Sequence, residues 1–483
     1  MTETDAFLRQ AEDILGARGL IRDPDLIEPW LHDWRGIYNG AALALAAPAT
    51  TDEVSALVTL CARHGVPIVP QGGNSGMVGG ATPDSSGRAL LLSLRRMNAI
   101  RSLAPDLREV VCEAGVVLQN LHEAAAERDL RFPLTLGGKG SATIGGLIST
   151  NAGGTQVLRH GSMRAQVLGL EAVLADGRRF DALTPLKKDN RGFDLKQLLI
   201  GSEGTLGIIT AATLRLIPAI AERTVVWAGV ETLHDARRLM LHCEAVAGRA
   251  LEGFEVIPAH SLEAVLGHLP GSRAPLAGHH AWHALLELVA ESEAEAQALP
   301  DLVESMLEGA MEQGLVQDAT IAANETQAEA FWLLRDSIAP AEKSLGPAVQ
   351  HDISVAVERM PDFVAAAVPE VEHRFAGTRA IAFGHLGDGN VHFHVLAPEG
   401  SVQGQWQKTQ GKQISAFVYE LVMQWGGSIS AEHGIGQAKL EEFGRLGDPV
   451  ALSMLRAVKQ ALDPHGILNP GKLVPLAPSG PNA

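Results

Sequence analysis

The segment Phe383-Gly384-His385-Leu386-Gly387-Asp388-Gly389-Asn390-Val391-His392-Phe393-His394-Val395 sets two histidines on either side of a Gly-Asp-Gly-Asn turn flanked by apolar residues. That pattern predicts a hairpin or tight strand reversal, which brings His385 and His392 back to back. Neutral imidazole is a common zinc ligand, and catalytic zinc takes three protein ligands plus an open position. Glu432, in Ser430-Ala431-Glu432-His433-Gly434-Ile435-Gly436, is the candidate third ligand. The competing reading is that these histidines only hydrogen-bond within a sheet. Residues two apart on a strand face the same side, so His394 lies beside His392 as a substrate contact or a rival ligand.

A second chemistry resides in three glycine-rich runs. Residues 70–80, Pro-Gln-Gly-Gly-Asn-Ser-Gly-Met-Val-Gly-Gly, hold five glycines directly after a short apolar strand. Residues 142–154 and 201–207 repeat the theme, the former followed by Arg159-His160-Gly161. Glycine permits positive φ and lets backbone N–H groups converge on an anion, which cradles a diphosphate without a lysine. A single run of this kind is usually a tight loop; three interleaved with strands point to a nucleotide. The common nucleotide motifs are absent: there is no G-x-x-x-x-G-K-S/T, and no G-x-G-x-x-G at a strand-to-helix junction followed by an acid about twenty residues on.

The elements that must position these groups are legible in outline. Helical spacing of apolar residues covers Asp5 to Leu15 and Thr50 to Arg63, the second behind a cap at Thr51 with Asp52 and Glu53 in the first turn. Val66–Pro70, Ala89–Leu94, Glu109–Glu113, Leu168–Leu174 and Gly207–Leu216 have strand composition, and Pro218 closes this unit. Arg223–Val230, a helix from His234 to Ala247, His283–Val289 and a helix from Ala294 to Gln313 predict a second, smaller α+β domain. Further helices are predicted at Gly411–Trp425 and Val450–Leu462.

The composition bounds the function classes. At 483 residues the chain exceeds one ordinary core, so two or three packed units are expected. A net charge of −17 argues against a general nucleic-acid binder, which needs a basic face to displace counterions. The three cysteines are far apart and form no CxxC pair, as expected in a reducing compartment. No apolar run reaches the roughly 20 residues of a membrane helix, and the acidic start lacks a signal core. A cytoplasmic enzyme is the expectation.

The runs PQGGNSGMVGG, ATIGGLISTNAGG and IGSEGTLGIIT resemble the three FAD-contacting segments of the vanillyl-alcohol oxidase / p-cresol methylhydroxylase superfamily. Asp33-Trp34-Arg35-Gly36, Asp189-Asn190 with Asp194-Leu195-Lys196-Gln197, and Asn469-Pro470-Gly471-Lys472 resemble the branch that contains D-2-hydroxyglutarate and D-lactate dehydrogenases. The likeness covers essentially the whole chain. It implies an α+β protein with a two-subdomain FAD-binding domain of the p-cresol methylhydroxylase type and an α+β cap, or substrate, domain built on an antiparallel sheet. The expected boundaries are 1–218 for the FAD domain, 219–449 for the substrate and metal domain, and 450–483 for a segment returning to the FAD domain.

Carried over by residue, the resemblance implies Gly72, Gly73, Asn74, Ser75 and Gly76 at the FAD pyrophosphate, with Pro70 among the cofactor contacts. It implies Thr143, Gly146, Ser149, Asn151 and Gly153 along the flavin, Glu203, Gly204 and Ile209 over the adenosine and ribityl region, and Asn469 as a further cofactor contact. Asn74 stands where covalent members use histidine, so non-covalent FAD is expected. The likeness also implies a divalent metal, zinc by expectation, on His385, His392 and Glu432, with His433 as the base.

Substrate contacts are implied at Arg335, in Trp332-Leu333-Leu334-Arg335, and at Gln350, Asn390 and His394. Relatives usually carry lysine at the position of Gln350, asparagine at His394 and a hydroxyl residue at Ala339, so the side-chain preference is expected to differ on an unchanged reaction. The implied activity is oxidation of a small D-2-hydroxy acid, of the D-2-hydroxyglutarate or D-lactate class, with an electron-transferring flavoprotein or quinone as acceptor and a homodimer as an allowed assembly. An oxygen-using oxidase and a flavin-binding subunit of a larger oxidoreductase are the alternatives.

Overall fold

The computed structural model describes residues 2–475. The chain forms two compact units, one from residues up to 153, 161–217 and from 432 onward, the other from 154–160 and 218–431. Among the described residues no helix is long and apolar enough to cross a membrane.

In the first unit the helix Thr51–His64 forms where its apolar spacing predicts, with Val54, Leu57, Val58 and Cys61 buried. Its cap is Thr50 and not Thr51: the Thr50 hydroxyl accepts the N–H of Glu53, and Gly65 closes the helix in the left-handed region. The strand Ile68–Gln71 pairs in parallel with Leu90–Ser93, which pairs in parallel with Ala44–Ala46, and Leu20–Ile21 adds an antiparallel edge. Leu90, Leu91 and Leu92 are all fully buried, as a central strand covered on both faces requires. A second sheet is antiparallel throughout, in the order Ile100–Ala104, Glu109–Glu113, Ile208–Arg215, Val167–Val173, Arg179–Ala182.

The chain re-enters this unit at Glu432, ahead of the expected boundary at Val450. The reason is local hydrogen bonding. Glu203 accepts the backbone N–H groups of Ile435 and Gly436, and the Gln437 amide donates to the carbonyl of Gly79 at 2.8 Å. Farther on, the Asn469 N–H donates to the Ile68 carbonyl at 2.8 Å, closing the C-terminal segment onto the first sheet.

The second unit is built on an antiparallel sheet of seven strands among the described residues, in the order Asp318–Ile321, Glu222–Val230, Trp282–Ala290, Leu251–Pro258, Arg379–His385, Asn390–Leu396, Ala348–Ser354. Trp227, Leu285, Phe331, Phe383 and Ile381 share one of its cores. The predicted hairpin is present: His385 pairs with Asn390 and Phe383 with His392. Gly389 takes φ of +78° in the turn, where an added Cβ would collide with the Val355 carbonyl. The Asp388 carboxylate accepts the N–H of Asn390 at 2.9 Å, tying the turn to the strand that follows.

Candidate active site

The three glycine runs enclose a cavity of about 720 Å³ in the first unit, within the range of pockets that bury a cofactor-sized ligand. Pro70, Gly72, Gly73, Asn74, Ser75, Gly76, Thr143, Gly146, Ser149, Gly153, Glu203, Gly204 and Ile209 all line it, together with Glu432 and His433. The walls fit a dinucleotide on two counts. A Cβ on Gly72 or Gly73 would collide with the Thr143 hydroxyl or the Ser141 carbonyl, so only bare backbone passes here. The Thr143 hydroxyl is buried without a hydrogen-bond partner among the described residues, which leaves a polar group for a bound ligand to satisfy.

Asn74 takes φ of +53°, and its amide donates to the His32 carbonyl at 2.7 Å. That bond anchors the first run while its side chain offers no nucleophile for a flavin linkage. Two residues expected at the cofactor do not line the cavity. Asn151 ends the helix Ile144–Thr150 with φ of +49°, and its side-chain oxygen accepts from Ser162 and from the Arg164 N–H. Asn469 donates its amide to the carbonyls of Gly80 and Glu203. Both brace the loops from behind. Glu203 does line the cavity, but its two carboxylate oxygens accept from Ile435 and Gly436 at 2.7 Å each. Burial pushes its carboxyl up, against those two N–H groups and the charges of Lys439 and Lys472.

In the second unit His385 and His392 come together as the turn predicts, with ring centroids 5.3 Å apart. Burial pushes the His392 imidazole well below its ordinary value, and the neighbouring charges of His385 and Arg335 push the same way, so this ring is neutral near pH 7. His385 donates from Nδ1 to Glu255 at 2.5 Å, and Arg335 Nη2 lies 3.3 Å from its Nε2. Glu255 also accepts from Arg335 Nε at 2.8 Å. Burial pushes the Glu255 carboxyl up, but Arg335 and His385 outweigh it and hold the group at about 2. The chemistry of this pair suits a divalent metal. Among the described residues, however, no three His, Cys, Asp or Glu side chains are gathered for one, and Glu432 belongs to the first unit.

The remaining expected contacts fall on the same sheet. His394 Nδ1 bonds the buried Glu342 at 2.5 Å, and Glu342 accepts from Ser261 at 3.2 Å. Gln350 is exposed and pairs across the strands with His394. The Asn390 amide donates to Asp352 and to the Ile353 carbonyl, so its nitrogen serves the sheet, while its oxygen is buried without a partner among the described residues. His351 spends both ring nitrogens on the Phe393 carbonyl and Ser415. Glu255 and Glu342 were missed by sequence reasoning. Glu255 had a signal, because a second acid in the apolar strand Leu251–Pro258 needs a buried partner; Glu342, on a helix among ordinary residues, had none.

Residues 220–473 match the family of FAD linked oxidases, C-terminal domain, and residues 42–182 match the FAD binding domain family. A mitochondrial D-2-hydroxyglutarate dehydrogenase of Bos taurus is 38% identical, across 94% of this chain and 81% of its own. A D-2-hydroxyglutarate dehydrogenase of Xanthomonas citri pv. viticola is 34% identical across 97% of both chains. The solved structure of p-cresol methylhydroxylase with substrate bound shares the fold, with a TM-score of 0.76 at 16% identity over 98% of both chains.

Proposed function

Because the chain belongs to the FAD-linked oxidases and, within them, to the D-2-hydroxyglutarate dehydrogenase family, we propose that it oxidises D-2-hydroxy acids to 2-oxo acids with a histidine base and a divalent metal, zinc foremost. The observation that carries this reading is the first-unit cavity. One wall is glycine backbone suited to a diphosphate, and Glu432 and His433 line the same space.

FAD, held without a covalent bond, supplies the two-electron acceptor for the hydride leaving the carbinol carbon. A divalent metal, for which the sequence motifs offer His385, His392 and Glu432, would polarise the substrate hydroxyl. Arg335 binds the α-carboxylate that every 2-hydroxy acid has, through a charge-assisted guanidinium contact. His433 takes the hydroxyl proton. Proton and hydride together account for both hydrogens lost when the alcohol becomes a ketone. The reduced cofactor is reoxidised by an electron-transferring flavoprotein or a quinone, and the compartment is the cytoplasm.

Gln350 and Ala339 favour acids with short or neutral side chains, D-lactate among them, because a second carboxylate needs its own cation. His394 and Glu342, one basic and one acidic, support the same preference: together they bring no net positive charge to that wall. A panel of D- and L-2-hydroxy acids assayed on the isolated chain with a dye acceptor tests the proposal. Activity with D-acids is expected; activity dependent on an added partner subunit would favour the flavin-subunit alternative.

A further inference from the structure

We propose that Trp34 is a cofactor-binding residue whose indole stacks on one of the flat ring systems of FAD, the isoalloxazine or the adenine. The proposal rests on the reading of the first-unit cavity as the FAD site.

Trp34 lines that cavity, yet it is 61% exposed. A ring left so far in water adds little to the packing of its own unit. Nor is it spent on a neighbour. Trp30, on the same segment, has the guanidinium of Arg95 4.8 Å from its ring centroid, whereas Trp34 has no aromatic or cationic partner among the described residues.

The backbone that carries Trp34 is fixed. His32 and Asn39 form an antiparallel bridge, and the Gly40 N–H closes the loop onto the Leu31 carbonyl at 2.8 Å. Inside it, one carboxylate oxygen of the buried Asp33 accepts the N–H groups of Ile37 at 2.7 Å and Tyr38 at 2.6 Å. Gly36 makes the reversal with φ of +68°. Two ties fasten the loop to the first glycine run. The Asn74 amide donates to the His32 carbonyl at 2.7 Å, and the Tyr38 ring lies so close to Gly79 that a Cβ there would meet it at 2.7 Å. A braced arm thus presents an uncovered indole on the wall of a glycine-lined cavity. Backbone N–H groups suit a diphosphate, but the face of a heteroaromatic ring needs a flat apolar surface, and Trp34 supplies one.

A tryptophan that served only its loop would lower stability whether or not flavin is bound, so affinity and stability must be read separately. FAD affinity is to be measured on flavin-stripped wild type, Trp34→Phe, Trp34→Leu and Trp34→Ala, with thermal unfolding of each flavin-free protein in parallel. The Kd for FAD should rise about 5–100-fold in W34A and W34L and be largely restored in W34F, the range that stacking on one aromatic side chain supplies. Flavin-free unfolding should not change. Wild-type affinity in W34A, or a leucine that restores binding as well as phenylalanine, overturns the proposal.

Fluorine NMR of protein labelled with 5-fluorotryptophan gives a readout that needs no loss of affinity, because the resonance missing from W34F belongs to Trp34. Movement of that resonance on FAD binding supports the proposal, and parallel titrations with FMN and ADP tell which ring is responsible. A Trp34 resonance unmoved while FAD binds overturns the proposal alone. Stripped wild type that takes up no FAD overturns the cofactor reading together with it.

Discussion

Glu203 and Ile435, 232 positions apart, are joined by a 2.7 Å hydrogen bond from the Ile435 N–H to a carboxylate that is almost wholly buried. The second oxygen of Glu203 takes the N–H of Gly436. The third glycine run therefore holds the loop that carries Glu432 and His433, and the wall of the cavity depends on a residue that spends its charge on backbone.

Removing that carboxylate leaves two buried N–H groups unsatisfied. Glu203→Ala should lower stability by about 2–4 kcal/mol and slow flavin reduction, whereas Glu203→Gln, which keeps one acceptor, should lose less of both. Thermal unfolding and rapid-mixing traces of the three proteins check this. Wild-type behaviour in Glu203→Ala would mean that the loop is held by something else.

Asn74 offers no nucleophile to a flavin ring, and its amide is occupied by the His32 carbonyl. Acid precipitation of the purified protein should leave intact FAD in the supernatant. Flavin that stays with the polypeptide would show a covalent bond at some other residue.

His433→Ala should retain FAD and metal but slow flavin reduction about 10²–10⁴-fold, the contribution of a positioned general base. Elemental analysis and the absorbance of the bound flavin establish that the site is otherwise loaded. A near-normal reduction rate removes His433 from the chemistry.

Gln350 faces His394 across the sheet, and His394 is already committed to Glu342. A cation added there should help an acid with a carboxylate at its far end. Gln350→Lys is expected to raise the ratio of D-2-hydroxyglutarate to D-lactate activity, read as kcat/KM for each. A wild type that prefers D-2-hydroxyglutarate a thousandfold, with no response to the lysine, contradicts this account of specificity.

The parts of the site that were legible in the sequence are contiguous. The glycine runs and the hairpin from Phe383 to Val395 each contain their own turn signals, so their local form follows from a few neighbouring residues. What could not be read depends on strands that meet only in the folded sheet. Glu255 reaches His385 across 130 positions, and Glu342 reaches His394 across 52 from a helix with no distinguishing pattern. The bracing bonds of Asn151 and Asn469 were hidden for a related reason. Each stands inside a motif that approaches the cofactor, and only the direction of its amide reveals that it braces the loop. The boundary at Glu432 was hidden by the same long-range bonding through Glu203.

The proposed function rests on one step, reduction of the bound flavin by the D-enantiomer of a 2-hydroxy acid in this chain alone. Anaerobic mixing of the purified flavoprotein with D-lactate, D-2-hydroxyglutarate and their L-enantiomers reads that step without any acceptor. Full bleaching of the flavin by at least one D-acid is expected, with a 2-oxo acid formed in equal amount, and none by the L-acids. Flavin that stays oxidised with every D-acid, or that is reduced equally by both enantiomers, contradicts it.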